Sequence, residues 1–341
     1  MKEALLYKQE GNAIKCTACA RYCYLKDGST GFCGIRKNIK GKLYLLSYGI
    51  ASAYHIDPIE KKPLLHFNPG SRVFSISTTG CNWMCQYCQN YDISQRRNVE
   101  GYPLSPEEVV EMAIEGQCQG ISYTYNEPTI FAEYAHDIAV LAKEKGLFNT
   151  FVSNGYASIE SAKYISSFID AITVDFKGNG STPFLRKYVG IKDAVPIFNA
   201  LNEYKKKVHI EITDLLVPKV GDNLEEGRKL VKWIIENLGK ETPIHFLAFH
   251  PDYKMMDFPN TPLSILKKHY EMAKEEGALY VYIGNVWGHD GENTYCPSCK
   301  KLVIERNGFF ITKWNLKNNK CIYCGEKIPI VGKYYHHEDE I

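Results

Sequence analysis

The stretch that organises this chain is Val73–Asn90, which reads VFSISTTGCNWMCQYCQN. The first part of it, residues 73–78, has the length and composition of a buried strand. It leads directly into a loop with three cysteines, Cys81, Cys85 and Cys88, in a C-x3-C-x2-C pattern. Three thiols therefore follow the carboxyl end of a predicted strand.

Composition and charge narrow the class of protein. The chain has 341 residues, enough for one large barrel or two ordinary domains. Its hydrophobic content of 45% and charged content of 23% are typical of globular proteins. A net charge of +2 gives no global electrostatic reason to bind nucleic acid or an acidic membrane surface. The first residues form no long apolar stretch, so we expect no signal peptide, no membrane span and a cytoplasmic location.

Strand-like and helix-like runs alternate from about residue 72 to 287, a pattern typical of βαβ units and a parallel sheet. Seven strands are predicted, at Val73–Thr78, Gly120–Tyr125, Asn149–Ser153, Ala171–Phe176, His209–Leu216, Ile244–Phe249 and Tyr280–Gly284. Helices are predicted between them, for example at Ser105–Glu115, Ile130–Lys145 and Asn223–Leu238. Six or seven right-handed units of this kind make a partial barrel, and a doubly wound open sheet is the alternative.

The chain divides into three parts by composition. Residues 1–70 carry a first group of cysteines, residues 71–287 carry the alternating pattern, and residues 288–341 are rich in cysteine pairs, charge and short strands. The predicted fold is therefore α/β, a partial (β/α)6-type TIM barrel with an N-terminal Cys-rich segment and a small C-terminal zinc-ribbon module. The run from His336 to Glu340 is expected to be a solvated tail.

Eleven of the twelve cysteines fall into three clusters, and only Cys118 stands alone. Without a secretion signal, clustered cysteines indicate metal ligands in a reducing compartment rather than disulfides. The C-terminal pairs, Cys296-x2-Cys299 and Cys321-x2-Cys324, have the spacing of a zinc ribbon. A rubredoxin-like iron centre uses the same ligand set and is the alternative.

The N-terminal cluster has the irregular spacing Cys16-x2-Cys19-x3-Cys23-x9-Cys33. Four thiols within so short a segment favour a bound metal over free cysteines. The spacing does not separate zinc, which we favour slightly, from a second iron–sulfur cluster. Zinc would fix the N-terminal segment in place, whereas a second cluster could relay electrons.

The three central cysteines indicate a different kind of site. Iron–sulfur clusters are normally held by four thiolates, so a four-iron cluster on Cys81, Cys85 and Cys88 leaves one iron open. An open redox-active iron can bind a substrate or cofactor directly. A zinc knuckle or three unrelated thiols are the alternatives, although zinc favours closed four-ligand sites.

This segment, including Tyr87 before the third cysteine, resembles the signature of the radical S-adenosylmethionine (SAM) superfamily. The resemblance implies that Cys81, Cys85 and Cys88 hold a [4Fe–4S] cluster whose open iron is chelated by SAM. An external one-electron donor would reduce the cluster, and cleavage of SAM would give a 5′-deoxyadenosyl radical that takes hydrogen from a substrate. The protein would therefore be an oxidoreductase.

Polar residues follow five further predicted strands, and parallel barrels bind ligands at the carboxyl ends of their strands. By resemblance to the superfamily, residues that follow four of these strands contact SAM. The positions are Asn126, Glu127, Ser153, Asn154, Asp175, Lys177, Asn285 and Val286, with Tyr87 in the cysteine loop. The family's glycines before the glutamate are replaced here by Tyr125 and Asn126. Glu211, His250 and Tyr253 are candidates for lining a substrate cavity.

Nearly the whole chain resembles the radical SAM member of the AmmeMemoRadiSam system, a relative of pyruvate formate-lyase activating enzymes. This resemblance implies a partner protein as substrate, with Memo or AMMECR family proteins as neighbours. Modification of a peptide, lipid or RNA is the alternative within the enzyme class. Outside that class the alternatives are a non-catalytic iron–sulfur electron-transfer protein and a zinc-ribbon protein that binds nucleic acid.

Overall fold

The central feature of the fold is an eight-stranded sheet. The computed structural model describes residues 1–336, so the predicted tail from His337 onward lies outside the described residues. Seven strands run parallel and follow one another across the sheet in chain order. They are Arg72–Ser77, Gly120–Tyr123, Phe148–Ser153, Ala171–Lys177, His209–Leu216, Ile244–Ala248 and Val281–Gly284. All seven predicted strands are present, and their ends agree within two residues.

The order of the strands bears on the doubly wound alternative. A doubly wound sheet reverses its strand order at a switch point, and this sheet does not. The doubly wound alternative is therefore excluded. An eighth strand, Ala53–Pro58, pairs antiparallel with Arg72–Ser77 at one edge. Within residues 1–336 this strand does not pair with Val281–Gly284 at the opposite edge.

Helices connect the parallel strands. The α-helices are Tyr91–Ser94, Pro106–Glu115, Ala132–Glu144, Ile159–Ile165, Thr182–Phe184, Val195–Tyr204, Leu224–Asn237 and Leu263–Glu275. Short 3-10 turns lie at Ile59–Lys61, Pro128–Phe131, Gly178–Gly180 and Asp290–Glu292, and a π-helical turn lies at Leu185–Val189. Ser105 caps the second helix through a reciprocal bond pair with Glu108, as its Ser-Pro-Glu-Glu sequence predicts. None of the helices in the described residues combines the length and the apolar character needed to cross a bilayer.

The segment between the strands Ala53–Pro58 and Arg72–Ser77 lies against the sheet instead of outside it. Ile59, Leu64 and Phe67 are buried in one apolar cluster with residues of two strands. The Thr173 hydroxyl donates to the carbonyl of Lys62 at 2.6 Å. The sheet and its packing therefore begin well before the predicted boundary at residue 71.

The N-terminal segment forms two small antiparallel sheets. The strands are Lys2–Glu3, Lys42–Leu45 and Arg36–Ile39 in one, and Tyr7–Glu10, Ala13–Cys16 and Tyr24–Leu25 in the other. Ile50–Ala51 pairs with Tyr102–Pro103. A buried ion pair between Arg36 and Glu133, with one N–O distance of 3.0 Å, fixes the segment to the helix Ala132–Glu144.

The C-terminal part is a small β module. A three-stranded sheet contains Thr294–Tyr295, Leu302–Asn307 and Phe310–Trp314, and a hairpin contains Leu316–Lys317 and Lys320–Cys321. Its core includes Tyr282 of the last parallel strand and Tyr280 directly before that strand. The Arg306 guanidinium also donates to the carbonyl of Leu65 at 3.1 Å. The module is therefore joined to the amino end of the central sheet.

Candidate active site

A cavity of about 330 Å³ opens at the carboxyl end of the central sheet. Twelve of the residues predicted to bind cofactor, metal or substrate line it. They are Cys81, Cys85, Tyr87, Cys88, Asn126, Glu127, Ser153, Asn154, Asp175, Lys177, His250 and Asn285. The sheet brings them together because the carboxyl ends of parallel strands lie along one edge.

The cysteine loop is held in place by backbone contacts on two sides. Gly80 has a φ of +91°, and a side chain there would collide with the carbonyl oxygen of Cys33. On the other side, the backbone N–H of Met84 donates to the carbonyl of Val189 at 3.0 Å. These contacts fix the loop from which Cys81 and its two partners project into the cavity.

The three thiols are strongly affected by burial. The pKa of Cys85 is raised to about 12, chiefly by burial and also by the neighbouring Cys88, while Lys177 acts in the opposite direction. The pKa of Cys81 is raised well above its ordinary value, first by burial and then by Cys85. Three thiolates that are buried this far from solvent need a cationic partner, because burying a charged group without a partner costs free energy. This set of donors fits a bound metal cluster.

Glu127 is buried beside the thiols and is the centre of a hydrogen-bond network. Its carboxylate accepts from the Ser153 hydroxyl at 2.8 Å and from the backbone N–H groups of Asn154 at 2.7 Å and Thr129 at 2.9 Å. Burial nevertheless raises the pKa of Glu127, because its effect outweighs these hydrogen bonds. A cationic ligand such as an amino group would offset the cost of burying this carboxylate.

The loop before Glu127 adopts a backbone conformation that normally favours glycine, although it contains Tyr125 and Asn126. Tyr125 adopts a φ of +67°, in the region that normally favours glycine. Its hydroxyl is anchored at 2.5 Å to the Asp57 carboxylate. The next residue, Asn126, donates to the carbonyl of Gly80 at 2.8 Å, and its buried side-chain oxygen has no partner among the described residues. That oxygen is an acceptor available to a ligand.

Lys177 and Asp175 face each other at the end of one strand, with Nζ and Oδ2 3.1 Å apart. Burial opposes the positive charge of Lys177, but the nearby Asp175 more than offsets it, so the pKa of Lys177 is raised. The Thr213 hydroxyl donates to Asp175 from the next strand. The ammonium group is therefore charged and fixed beside the thiols, where it suits an anionic ligand group.

The structure does not bring three predicted residues to the cavity, and Glu211 is the clearest correction. Its carboxylate is fully buried near the amino end of its strand, where it accepts from the His66 backbone N–H at 2.7 Å. Tyr253 instead stacks on Tyr91 at 4.7 Å, and Val286 packs against the core. The prediction for Glu211 was wrong because the third residue of the strand His209–Leu216 lies near the amino end of the sheet, away from the cavity at the carboxyl end.

Sequence reasoning missed several cavity residues, of which Lys62 is the most notable. It comes from the segment that packs across the sheet, and its ammonium lies 2.7 Å from the Asp57 carboxylate. Burial lowers the pKa of Lys62 to about 8. No local pattern signals this residue, because the segment precedes the first parallel strand. Asn90 and Ser94, directly after the cysteine loop, were also missed although their position beside the motif was a usable signal.

The C-terminal cysteines form a compact group. Their sulfur atoms all lie within 4.8 Å of one another, with Cys296–Cys324 at 3.5 Å and Cys299–Cys321 at 3.7 Å. A tetrahedral ion with metal–sulfur bonds of 2.3 Å has sulfur–sulfur edges of about 3.8 Å. In residues 1–336 no other group of three or more cysteine, histidine or acidic side chains is this compact. The arrangement therefore fits one tetrahedral metal ion.

The N-terminal cysteines converge at the end of a hairpin. The backbone N–H of Cys16 donates to the carbonyl of Cys23 at 2.9 Å. Burial raises the pKa of the Cys19 thiol, and the nearby Cys16, Cys33 and Cys23 raise it further. All four thiols are thus close enough to influence one another, although they are less tightly grouped than the C-terminal set.

Comparisons with known proteins agree with this arrangement. A family model described as the radical SAM superfamily matches residues 75–234. An uncharacterized protein of Methanocaldococcus jannaschii is 44% identical over 97% of this chain and 100% of its own length. A pyruvate formate-lyase-activating enzyme of Clostridium pasteurianum is 25% identical over 61% of this chain and 92% of its own length. Among solved structures, a radical SAM methyltransferase from Sphaerobacter thermophilus is 14% identical, with a TM-score of 0.48 over 63% of this chain and 67% of its own. The chain belongs to the radical SAM superfamily.

Proposed function

We propose that this protein is a radical SAM enzyme that uses a [4Fe–4S] cluster on Cys81, Cys85 and Cys88 to cleave SAM reductively. The observation that carries the proposal is one cavity lined by three buried thiols, an acidic group and a basic group. The thiols suit a cluster with one open iron. Glu127 suits the amino group of SAM, and Lys177 suits its carboxylate.

When bound, the cluster supplies one electron and SAM supplies a 5′-deoxyadenosyl radical that removes hydrogen from a substrate. The protein's own residues orient the cofactor and exclude water. Ser153 and Asn154 hold the Glu127 carboxylate in a single orientation through hydrogen bonds of 2.8 and 2.7 Å. Asp175 holds the Lys177 ammonium through an ion pair of 3.1 Å. The free oxygen of Asn126 offers a third fixed contact.

We further propose that the substrate is a partner protein and that an external one-electron donor reduces the cluster. The similarity to enzymes named as pyruvate formate-lyase-activating enzymes supports a protein substrate. Proteins of the Memo and AMMECR families are candidate partners by the resemblance of the whole chain. Reduction of this kind requires a reducing compartment such as the cytoplasm. The chain-ordered parallel sheet supports a partial barrel, and the compact Cys296–Cys324 group supports a zinc ribbon.

The test is formation of 5′-deoxyadenosine from SAM under anaerobic reducing conditions. The Cys85→Ala variant should lose this activity to background while its circular dichroism spectrum is unchanged. The matched control is Cys118→Ala, which removes the one cysteine outside the three clusters and should keep the activity. Product formation by Cys85→Ala at the wild-type rate would refute the assignment.

A further inference from the structure

We propose that Cys16, Cys19, Cys23 and Cys33 hold a second four-iron cluster, which passes electrons from the protein surface to the cluster at Cys81. The inference rests on the proposed function, because we compare the N-terminal thiols with Cys81, Cys85 and Cys88, to which that function assigns a four-iron cluster. It differs from the slight preference for zinc that we drew from the spacing alone.

The first argument is the separation of the sulfur atoms. The four C-terminal thiols lie within 4.8 Å of one another, as a single tetrahedral ion requires. In the described residues no three of the N-terminal thiols are that close, and the same holds for the three thiols at Cys81. A four-iron cluster is larger than one ion, so its ligands must stand further apart. In this respect the N-terminal thiols resemble the three thiols at Cys81 and differ from the C-terminal set.

The second argument is that the four cysteines converge at the end of one hairpin. The paired strands Ala13–Cys16 and Tyr24–Leu25 bring Cys16 beside Cys23. The turn at Gly31 closes the other side, since a β-carbon there would lie 3.8 Å from the sulfur of Cys23 and 3.9 Å from that of Cys33. Their wide spacing therefore does not reflect thiols that point apart.

The third argument is direct contact between the two sites. A side chain on Gly80 would collide with the carbonyl oxygen of Cys33, so the cysteine loops touch through their backbones. Because consecutive Cα atoms lie 3.8 Å apart, this contact places the Cα atoms of Cys33 and Cys81 within roughly 10 Å of each other. Cys19 forms an isolated antiparallel bridge with Ala157, just beyond the Asn154 loop of the cavity.

Two arginines strengthen this junction. Arg21 donates to the carbonyl oxygens of Asn82 and, at 2.8 Å, of Gly190. Arg97 lies 3.4 Å from the carbonyl of Cys81. The ring of Phe32 packs against both guanidinium groups, with distances of 3.6 and 4.8 Å to its centre. Phe32 directly precedes Cys33, so the junction connects the ligands of one site to the ligands of the other.

The exposure of the four cysteines indicates where electrons would enter from the protein surface. Cys16, Cys19 and Cys33 are at most 8% exposed, whereas Cys23 is half-buried between the exposed Tyr22 and Tyr24. An external one-electron donor protein could approach at Cys23 and give up one electron to the second cluster. That cluster then returns to its oxidised state by passing the same electron to the Cys81 site. The donor is oxidised by one electron, and the second cluster is unchanged over the cycle.

The decisive experiment removes the radical SAM site and leaves the N-terminal site intact. The triple variant Cys81→Ala, Cys85→Ala and Cys88→Ala, purified without oxygen, should contain about four irons and four sulfides, with about one zinc at the C-terminal set. After reduction it should show the electron paramagnetic resonance (EPR) spectrum of a single four-iron cluster. A variant with no iron and about two zinc ions per chain would overturn the proposal.

The wild-type protein provides the second measurement, which does not depend on how any variant folds. It should contain about eight irons, and its fully reduced spectrum should be broadened by interaction between two nearby clusters. About four irons together with normal SAM cleavage would overturn this inference but leave the proposed function standing. Loss of SAM cleavage in a protein that keeps both clusters would instead count against the proposed function.

Discussion

Two buried glutamates on the same sheet, Glu127 at its carboxyl end and Glu211 near its amino end, differ in how completely the protein satisfies them. Both are at most 2% exposed. Glu211 accepts from two backbone N–H groups and lies 2.8 and 3.1 Å from the side chains of His245 and His209. Burial opposes its charge, but the histidines hold the pKa of Glu211 well below its usual range. Among the described residues no histidine, lysine or arginine side chain donates to Glu127, and its pKa is raised by burial.

This difference separates a structural polar cluster from a binding site. Around Glu211 the polar contacts continue from His66 to Tyr282 at 2.6 Å and from Tyr282 to Thr294 at 2.9 Å, which joins the C-terminal module to the sheet. Around Glu127 the contacts lead to a cavity, and the neighbouring Asn126 keeps an unpaired oxygen. A buried charge that lacks a partner in the protein is a charge that a ligand can pair with.

The largest expected effect is at the amino end. The Glu211→Ala variant leaves two histidines and two backbone N–H groups without their acceptor, so the free energy of unfolding should fall by about 3–5 kcal/mol. Urea denaturation measures the change, and Glu111→Ala on an exposed helix face is the control. SAM affinity of the folded fraction should stay the same. A loss of SAM affinity with full stability would reverse the assignment of the two ends.

The second effect is a pH dependence that originates in the same cluster. Burial lowers the pKa of His66 to about 3. Below pH 6.5 His66 is therefore protonated in the unfolded chain but stays neutral in the folded chain. The free energy of unfolding consequently falls as the pH falls toward 3. Between pH 7.5 and pH 5, His66 should lower the free energy of unfolding by about 2 kcal/mol.

The His66→Gln variant tests this pH effect, because glutamine can keep the bond to Tyr282 but does not titrate. Its free energy of unfolding should fall less than that of the wild type between the two pH values. Equal losses in both proteins would show that His66 does not contribute.

The smallest effect in free energy is expected at the carboxyl end. The Glu127→Gln variant keeps most hydrogen bonds to Ser153 and the two backbone N–H groups but loses the negative charge. Stability should change little, whereas SAM should bind about tenfold more weakly, equivalent to about 1.4 kcal/mol. Isothermal titration calorimetry on cluster-loaded protein measures the affinity, with Glu111→Gln as control. Unchanged affinity together with lowered stability would make Glu127 a structural residue like Glu211.

The sequence predicted the seven parallel strands well because a buried strand carries a local apolar pattern. It did not predict the antiparallel strand Ala53–Pro58, whose residues are only partly buried and whose partner follows a buried connecting segment. For the same reason Lys62 was missed at the cavity. Tyr125 shows a further limit, since a tyrosine gives no sign that its backbone adopts the left-handed conformation until Asp57 is seen to anchor it.

The sequence by itself determined the α/β class, the three cysteine clusters and the radical SAM motif, because each is encoded in short-range spacing or alternation. Only the tertiary structure decided which polar groups share a cavity and which are paired with each other. Glu127 and Glu211 look alike in sequence, since both follow or interrupt apolar strands. Their roles diverge because residues distant in the chain, His245 and the backbone of His66, surround one carboxylate and leave the other to a ligand.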